Sequence, residues 1–527
     1  TIEVTMKKWI KAKKIITMNP DLPYADLMCL EGDRITYIGD SSSKSLAIDP
    51  LIDAFVDYSD KVLYPGFNDS HLHLIGFGSY LNTCRLEMIR SIDALISHVS
   101  NYAETYTGTV LYGRNWNQDL FREKRLPTKE DLDLACPSRP VVLYRTCGHI
   151  AVINSAAIKY FGISSNTNVP GGAIDAVNGD LTGILRENAL NLVKQTVTLE
   201  SLKDDLMCAQ QHLNRLGITS VQSDDLIMVP DDQQMALLAL MEELGRDGLL
   251  TVRIYEQSQF FTPAQFKNAL DGGYKQNEGN AFFKRGPLKI LADGSLGART
   301  ARMHHGYADA PNERGILIHP VSELDALIHM ASEHHIDVVA HGIGDFTIDY
   351  LIEAFKRTSS GHNAIVHCQI TTDHAMTEMG NHHIGALVQP IFLEYDMDIV
   401  EDRVGPELAK TSYAFKTMLE KGILLGFGSD APVEDPNPLK GIHYAVNRKR
   451  PDGRVLHVDE ALTLEQAIRA YTLDAARFSH EAHEKGMLST GYYADFVVFD
   501  HELSSDHLLG EKVIATYVGG KCVYTAD

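Results

Sequence analysis

At 527 residues, with 48 Lys+Arg against 70 Asp+Glu, the chain carries a formal net charge of −22. That charge repels nucleic-acid phosphates and no Lys/Arg stripe offsets it, so nucleic acid is not an expected partner. A hydrophobic share of 44% and a charged share of 22% are those of a globular protein with a sizeable core, which excludes general disorder.

The length fits two to four domains, or one large barrel with additions. From Thr1 onward the first twenty residues are partly basic, without the uninterrupted apolar stretch or cleavage pattern of a signal peptide. Residues 8–40 read as short strands punctuated by Asn-Pro and Gly-Asp turns. YPGFNDSHLHL (64–74) is the first of eight strand-like runs. A surplus stretch follows, roughly 84–205, with two further strand-like runs at 109–116 and 140–149. It is expected to be an insertion over the barrel mouth, because long additions to compact domains tend to be functional. The remaining runs lie at 218–224, 251–257, 287–294, 337–342, 364–369, 386–392 and 424–430, with helical stretches between the later ones. Strands alternating with helices predict a parallel sheet, and eight such units predict an α/β fold of the (β/α)8 TIM-barrel type. Residues 491–526 return to short strands like those of the N-terminal end. No run reaches the roughly 18 apolar residues of a membrane span, so no membrane partner is expected. The seven cysteines (29, 84, 136, 147, 208, 368 and 522) are scattered, odd in number and free of any CxxC pair. They fit a reduced, cytoplasmic compartment better than a disulfide framework or a thiolate zinc site.

The chemistry begins at His71-Leu72-His73. In an extended segment residues i and i+2 share a face, so two imidazoles can converge on one ion. His341 in VVAHG, His367 in AIVHC and Asp430 in LLGFGSD close three other apolar strands, where a barrel gathers its catalytic groups. Lys289 lies in a fourth, just before Ala-Asp-Gly. Any one of these residues alone reads equally well as a polar group satisfied by a neighbour. Four histidines and an aspartate at corresponding places of one barrel favour a metal site.

PGFNDSHLHL, KILADGSLGARTA, VVAHGIGD, IVHC and GFGSDAPVEDPNPL resemble the amidohydrolase superfamily. More narrowly, they are similar to its YtcJ-like branch (amidohydrolase family 3), which includes N-substituted formamide deformylases. YTLDAARFS and GMLSTGYYADFVVFD resemble the closing segment of that family. The resemblance implies a small β-sandwich built from both termini beside the barrel. The expected division is 1–62 and 481–527 for the sandwich, 63–83 for the first barrel strand and metal motif, 84–205 for the insertion, and 206–480 for the rest of the barrel. It also implies His71, His73, His341 and His367 as metal ligands, with Asp430 as a ligand or neighbour of the metal and general base. Lys289 falls where many members carry a carboxylated lysine bridging two metals. Unmodified, it would repel a cation, and pairing with Asp293 is the alternative. Nitrogen and oxygen donors suit one or two divalent ions, Zn2+ best.

Further candidates are weaker. His149 resembles a family position in the insertion and reads as a substrate-polarising donor or as a structural turn residue. Arg114, Asn115, Trp116 and Gln118 read as a pocket lining or as a surface loop with a buried Trp anchor. Arg299 is a candidate carboxylate binder or an ordinary ion-pair partner. Gln389 faces substrate or bonds a neighbouring strand. His480-Glu481-Ala482-His483 is not the HExxH of a helical zinc site and reads as surface, as do His334-His335 and His382-His383. No GxSxG elbow and no phosphate-binding GxxxxGK[ST] is present. The expected activity is metal-dependent hydrolysis of amide-type C–N bonds in small molecules such as N-acyl or N-formyl amines. A metal-activated water would attack the carbonyl, with Asp430 as base and then acid. The alternatives are a cyclic amide or imide hydrolase, and a noncatalytic binding protein that kept the fold. The acidic surface and the exposed sandwich permit a homodimer without requiring one.

Overall fold

A computed structural model describes residues 7–43, 53–106, 108–146, 148–195 and 197–526. Thr1 with the residues next to it, and Cys147, lie outside the described residues. Each of the eight runs read from the sequence overlaps one strand of a single parallel sheet. These are β1 (Phe67–Leu72), β2 (Ile218–Ser223), β3 (Arg253–Gln259), β4 (Phe283–Leu291), β5 (Val338–Gly342), β6 (Ala364–His367), β7 (Gly385–Val388) and β8 (Leu425–Phe427). Neighbours in sequence are neighbours in the sheet throughout, as short right-handed crossovers require. Apart from the closing His367, the short later strands are apolar because both faces are covered. The helices between them show one buried stripe, for example Leu324, Leu327, Ile328 and Ala331 of Val321–Glu333, at the spacing of a helix face.

The barrel closes between β8 and β1 through Asp69 as well as through backbone. Asp430 N donates to His71 O at 2.8 Å. Ser429 N and Oγ donate to the two carboxylate oxygens of Asp69, at 3.1 and 2.6 Å. Burial pushes the Asp69 carboxyl up to about 7 against these bonds. The strand register places Leu291 beside His341 and Gly342 beside His367, so the polar strand ends come level at one rim.

Both ends of the chain build one seven-stranded sheet. Its order is Lys521–Thr525, Val513–Val518, Phe496–Phe499, Ala54–Pro65, Lys8–Ile16, Tyr24–Glu31 and Arg34–Gly39. It curls so that Ile35 and Ile38 at one end share a core with Ala515 and Tyr517 near the other. Its central strand, Ala54–Pro65, is parallel to Lys8–Ile16 and antiparallel to Phe496–Phe499. The sequence reading missed it, because its first half alternates exposed residues (Phe55, Asp57, Ser59) with half-buried ones and has no buried position. Two buried ion-pair sets join this region to the foot of the barrel. Arg253, first residue of β3, donates from Nε and Nη2 to the Asp495 carboxylate at 2.7 and 3.0 Å. Glu481 accepts from Lys284 of β4 at 2.8 Å and from Lys485. The expectation that 480–483 is surface is therefore corrected for Glu481, which is buried. His334, His335, His382 and His383 are exposed as expected.

Residues Ser79–Asp205 form a compact unit of their own. A six-stranded sheet runs in the order Gly172–Val177, Asp180–Glu187, Ile150–Ile153, Val141–Arg145, Leu111–Trp116 and Cys84–Arg85. Its core gathers Trp116, Phe121, Leu132, Val141 and Leu143. Among the described residues no helix is long and apolar enough to cross a membrane.

Candidate metal centre

β1 ends at Leu72, and helix Leu74–Leu81 starts two residues later, which leaves His73 on a fixed corner. The first amides of that helix need acceptors, and the end of β2 supplies them. Ser223 Oγ accepts from Leu74 N and Asp225 Oδ1 from Ile75 N, both at 2.8 Å. From the eighth strand, Ala431 O accepts from His73 N at 2.8 Å. The His-x-His corner is thus held from both neighbouring strands.

All four imidazoles have Nδ1 committed to an acceptor. His71 Nδ1 lies 2.6 Å from Gln257 Oε1, His73 Nδ1 2.8 Å from Asp224 O, His341 Nδ1 2.9 Å from Asp293 Oδ1 and His367 Nδ1 2.7 Å from Gln389 Oε1. The two glutamines are themselves oriented, because their amide nitrogens donate to Ser70 O and Leu387 O at 3.0 Å. Nδ1 is therefore the donor in each neutral ring and Nε2 keeps its lone pair, the arrangement by which proteins aim imidazoles at a metal. One donor atom each from His71, His367 and Asp430 lies within 4.8 Å of the other two. His71 and His73 Nε2 are 3.4 and 3.3 Å from Asp430 Oδ1. The His341 and His367 rings sit 4.5 Å apart between centroids. His367 and Asp430 both take left-handed backbone, at φ 69° and 59°, which is costly for side chains of this type and is found where neighbours enforce a functional geometry.

The charges agree with that reading. Burial would raise the Asp430 carboxyl, but the His73 hydrogen bond and the charges of His367 and His71 outweigh it and hold the group well below the usual carboxylate range. Burial drives His71 far down, aided by the Lys289 ammonium, and lowers His367 to about 3, aided by His341. Burial also opposes protonation of His73, but the Asp430 bond and the Asp224 charge prevail and lift it to about 9. A metal would displace that proton, as ligand imidazoles require. With oriented Nε2 lone pairs and an ionised carboxylate at one rim, the residues present fit a divalent cation bound through nitrogen and oxygen.

Lys289 is buried at the same place. Its Nζ donates to Asp224 Oδ2 at 3.1 Å and stands 3.4 Å from His71 Nε2. The alternative pairing with Asp293 is corrected. Asp293 instead binds His341 and accepts from the amides of Ile343, Gly344 and Arg302. Asp224 Oδ1 has no partner among the described residues. Together these groups line a cavity of about 440 Å3, completed by Gln259, Leu291 and the partly exposed Ile227 and Phe261.

Other expected site residues are engaged elsewhere. Trp116 is corrected from substrate contact to core anchor: it is fully buried in the insertion and its Nε1 donates to Leu143 O at 2.8 Å. Arg299 is corrected to an ion-pair residue, donating from Nε and Nη2 to Asp309 at 3.0 and 2.8 Å. Gln389 is corrected from substrate contact to the residue that holds His367. His149 lies exposed on the insertion with its Nδ1 3.0 Å from Glu187 Oε2. The sequence reading missed Gln257 and Asp224. Gln257 lies within the strand Arg253–Gln259 and Asp224 just after Ile218–Ser223, both rich in polar residues, so neither stands out, and neither residue type signals a metal by itself.

Comparison with known proteins agrees with the geometry. The amidohydrolase family profile matches residues 54–524. YtcJ of Bacillus subtilis is 32% identical over 489 residues, covering 89% of this chain and 90% of that protein. The N-substituted formamide deformylase of Arthrobacter pascens is 25% identical, covering 95% of each. The crystal structure of an uncharacterised metal-dependent hydrolase from Pyrococcus furiosus superposes with a TM-score of 0.76 at 29% identity, covering 94% of this chain and 99% of that one.

Proposed function

This chain belongs to the amidohydrolase family and is a metal-dependent hydrolase; from that premise we propose that it cleaves amide-type C–N bonds in N-acyl or N-formyl amines. The observation that carries the proposal is the convergence of four Nδ1-bonded histidines and Asp430 on one cavity at the strand ends. His71, His73, His341, His367 and Asp430 would hold the ion, with Zn2+ the best match to the donor set. When bound, the ion supplies a Lewis acid that makes water acidic enough to ionise near neutral pH and polarises a carbonyl.

Asp430 does the proton work. Its carboxylate, kept ionised by His73 and its neighbours, accepts the proton of the attacking water at an oxygen atom. It then delivers that proton to the departing amine nitrogen, without which an amide does not expel its leaving group. Gln257, Asp224, Asp293 and Gln389 keep the rings aimed while this happens. Lys289 enters the site as a ligand only after its neutral amine adds CO2 and loses a proton, which turns a cation into an anionic carbamate. The wider relationship to the deformylase of Arthrobacter pascens supports the N-acyl or N-formyl class.

The test is release of free amine from a panel of N-formyl and N-acyl amines by metal-loaded protein. Wild type is expected to hydrolyse at least one class, and Asp430→Asn to lose about 10³-fold or more in kcat while retaining metal. Near-normal turnover in Asp430→Asn would remove it from the mechanism, and failure across the panel would overturn the substrate class. Lys289→Ala is expected to lower metal content unless the lysine is uncarboxylated. Equal metal in variant and wild type, with and without bicarbonate, would refute the carbamate.

A further inference from the structure

The insertion carries a second cavity, of about 360 Å3, lined entirely by its own residues. Three of these are cations, Arg114, Arg145 and Lys194, and none is acidic. Asn115, Thr146 and Asn191 add hydrogen-bonding side chains. Arg145 is partly neutralised: its Nε donates to Gln118 Oε1 at 2.8 Å and its Nη2 lies 3.2 Å from Asp119 Oδ2. Arg114 and Lys194 form no ion pair among the described residues, and the one recorded contact of the Arg114 guanidinium is the Tyr144 ring, at 5.7 Å. This concentration stands out against the charge of the chain. Between residues 79 and 205 there are thirteen Lys+Arg and fourteen Asp+Glu, a net −1, while the remaining 400 residues carry −21.

The local backbone is shaped to produce the cavity. Strands Leu111–Trp116 and Val141–Arg145 pair in parallel, with Arg114 opposite Tyr144 but Trp116 opposite Arg145, so Asn115 is an extra residue in the ladder. It adopts φ 75°. Such a bulge breaks the alternation of strand side chains and re-aims them. Here Arg114 and Asn115 are both exposed in succession, while Trp116 turns into the core. The opposite wall is the short 3-10 helix Asn188–Val193, tied across by Tyr144 Oη donating to Val193 O at 3.3 Å. A strained residue at the rim of a cavity, with unpaired cations on both walls, is how a polar binding site differs from a solvated charged face.

We propose that this cleft is an anion-binding site that takes an organic acid through its carboxylate. Arg114 presents a planar fork that matches a carboxylate, Lys194 adds a point charge from the opposite wall, Arg145, held by Gln118 and Asp119, adds positive charge at the rim, and the amide and hydroxyl groups bond the remaining oxygens. The ligand is a free small organic acid.

Calorimetric titration of the full chain with succinate, at fixed ionic strength, tests the proposal, with inorganic phosphate as the comparison anion. Succinate is expected to bind wild type more tightly than phosphate, to bind equally after the metal is removed by a chelator, and to bind about tenfold or more weakly in Arg114→Gln, with a smaller loss in Lys194→Gln. Both side chains are exposed, and unchanged melting temperatures would show that the variants fold. Absence of binding, unchanged affinity in both variants, tighter binding of phosphate, or binding that disappears with the metal would each overturn the proposal.

Discussion

The barrel cavity and the insertion cleft are both crowded with polar side chains, yet their charges are handled in opposite ways. In the barrel the Nδ1 of each ring and the Lys289 ammonium have a partner: Gln257 and Gln389 for two histidines, Asp293 for a third, the Asp224 carbonyl for the fourth, and the Asp224 carboxylate for Lys289. In the insertion the cations of Arg114 and Lys194 stand unpaired at a solvent-facing cleft. A site that must hold an ion in one geometry needs its ligands fixed before the ion arrives. A site that exchanges a diffusible anion works with exposed charges whose partner is the ligand itself. The two regions also differ in how they are anchored. The barrel unit is pinned by buried ion pairs at its foot, Arg253 with Asp495 and Glu481 with two lysines. The insertion is pinned by an apolar core around Trp116.

This contrast can be broken or sharpened by substitution. The largest expected effect is Trp116→Ala, which removes a fully buried side chain and its hydrogen bond to Leu143 and should cost about 3–5 kcal/mol. Limited proteolysis should then cut within 79–205 while the barrel keeps its metal, since every residue lining the metal cavity belongs to the barrel unit. Loss of metal in parallel would show that the two regions are not separable. Glu481→Gln strands the buried Lys485, while Lys284 keeps Glu484 at 3.2 Å, and should destabilise by about 3 kcal/mol. Here the sign with pH is fixed. Burial opposes ionisation, but the two lysines win and depress the Glu481 carboxyl from 4.5 to about 2. Its stabilisation is therefore complete above about 4.5 and is lost as pH falls towards 2. Melting temperatures of wild type and variant should differ most at neutral pH and converge through that window; a constant difference would contradict the pairing.

Smaller effects probe how each site is aimed. Gln389→Ala leaves all candidate ligands in place but frees His367, and should weaken metal affinity about 10–100-fold with little change in melting temperature. Wild-type affinity would make Gln389 a bystander. Smallest is Arg299→Ala, whose guanidinium is already spent on Asp309 and should leave KM unchanged. A marked rise in KM would restore it as a substrate contact.

Much of the barrel was legible in the sequence because its physics is repetitive. Strands buried on both faces must be short apolar runs, so a histidine or aspartate closing one of them, as His341, His367 and Asp430 do, stands out against its surroundings. The positioning residues were not legible on the same terms: Gln257 and Gln389 occupy equivalent places, but an amide carries no chemical signature until the ring it holds is seen. The strand Ala54–Pro65 was hidden because half of it faces solvent and reads as a polar loop. In the insertion the side chains at 114–116 were ambiguous for a specific reason. Strict alternation would place Trp116 on the same side as Arg114, and only the extra residue Asn115 sends it into the core. Glu481 was misread because its neighbours look like a failed metal motif, while its partners Lys284 and Lys485 become close only in the folded chain.

The central claim, that His71, His73, His341, His367 and Asp430 form a divalent-metal centre, is tested most directly by metal content. Elemental mass spectrometry should be run on untagged protein purified without chelator, beside a His71→Ala/His367→Ala variant. The account predicts about one or two equivalents of a divalent metal per chain in wild type and nearly none in the folded variant. Wild type that binds no metal even after resupply, or a variant that retains the full complement, would contradict it.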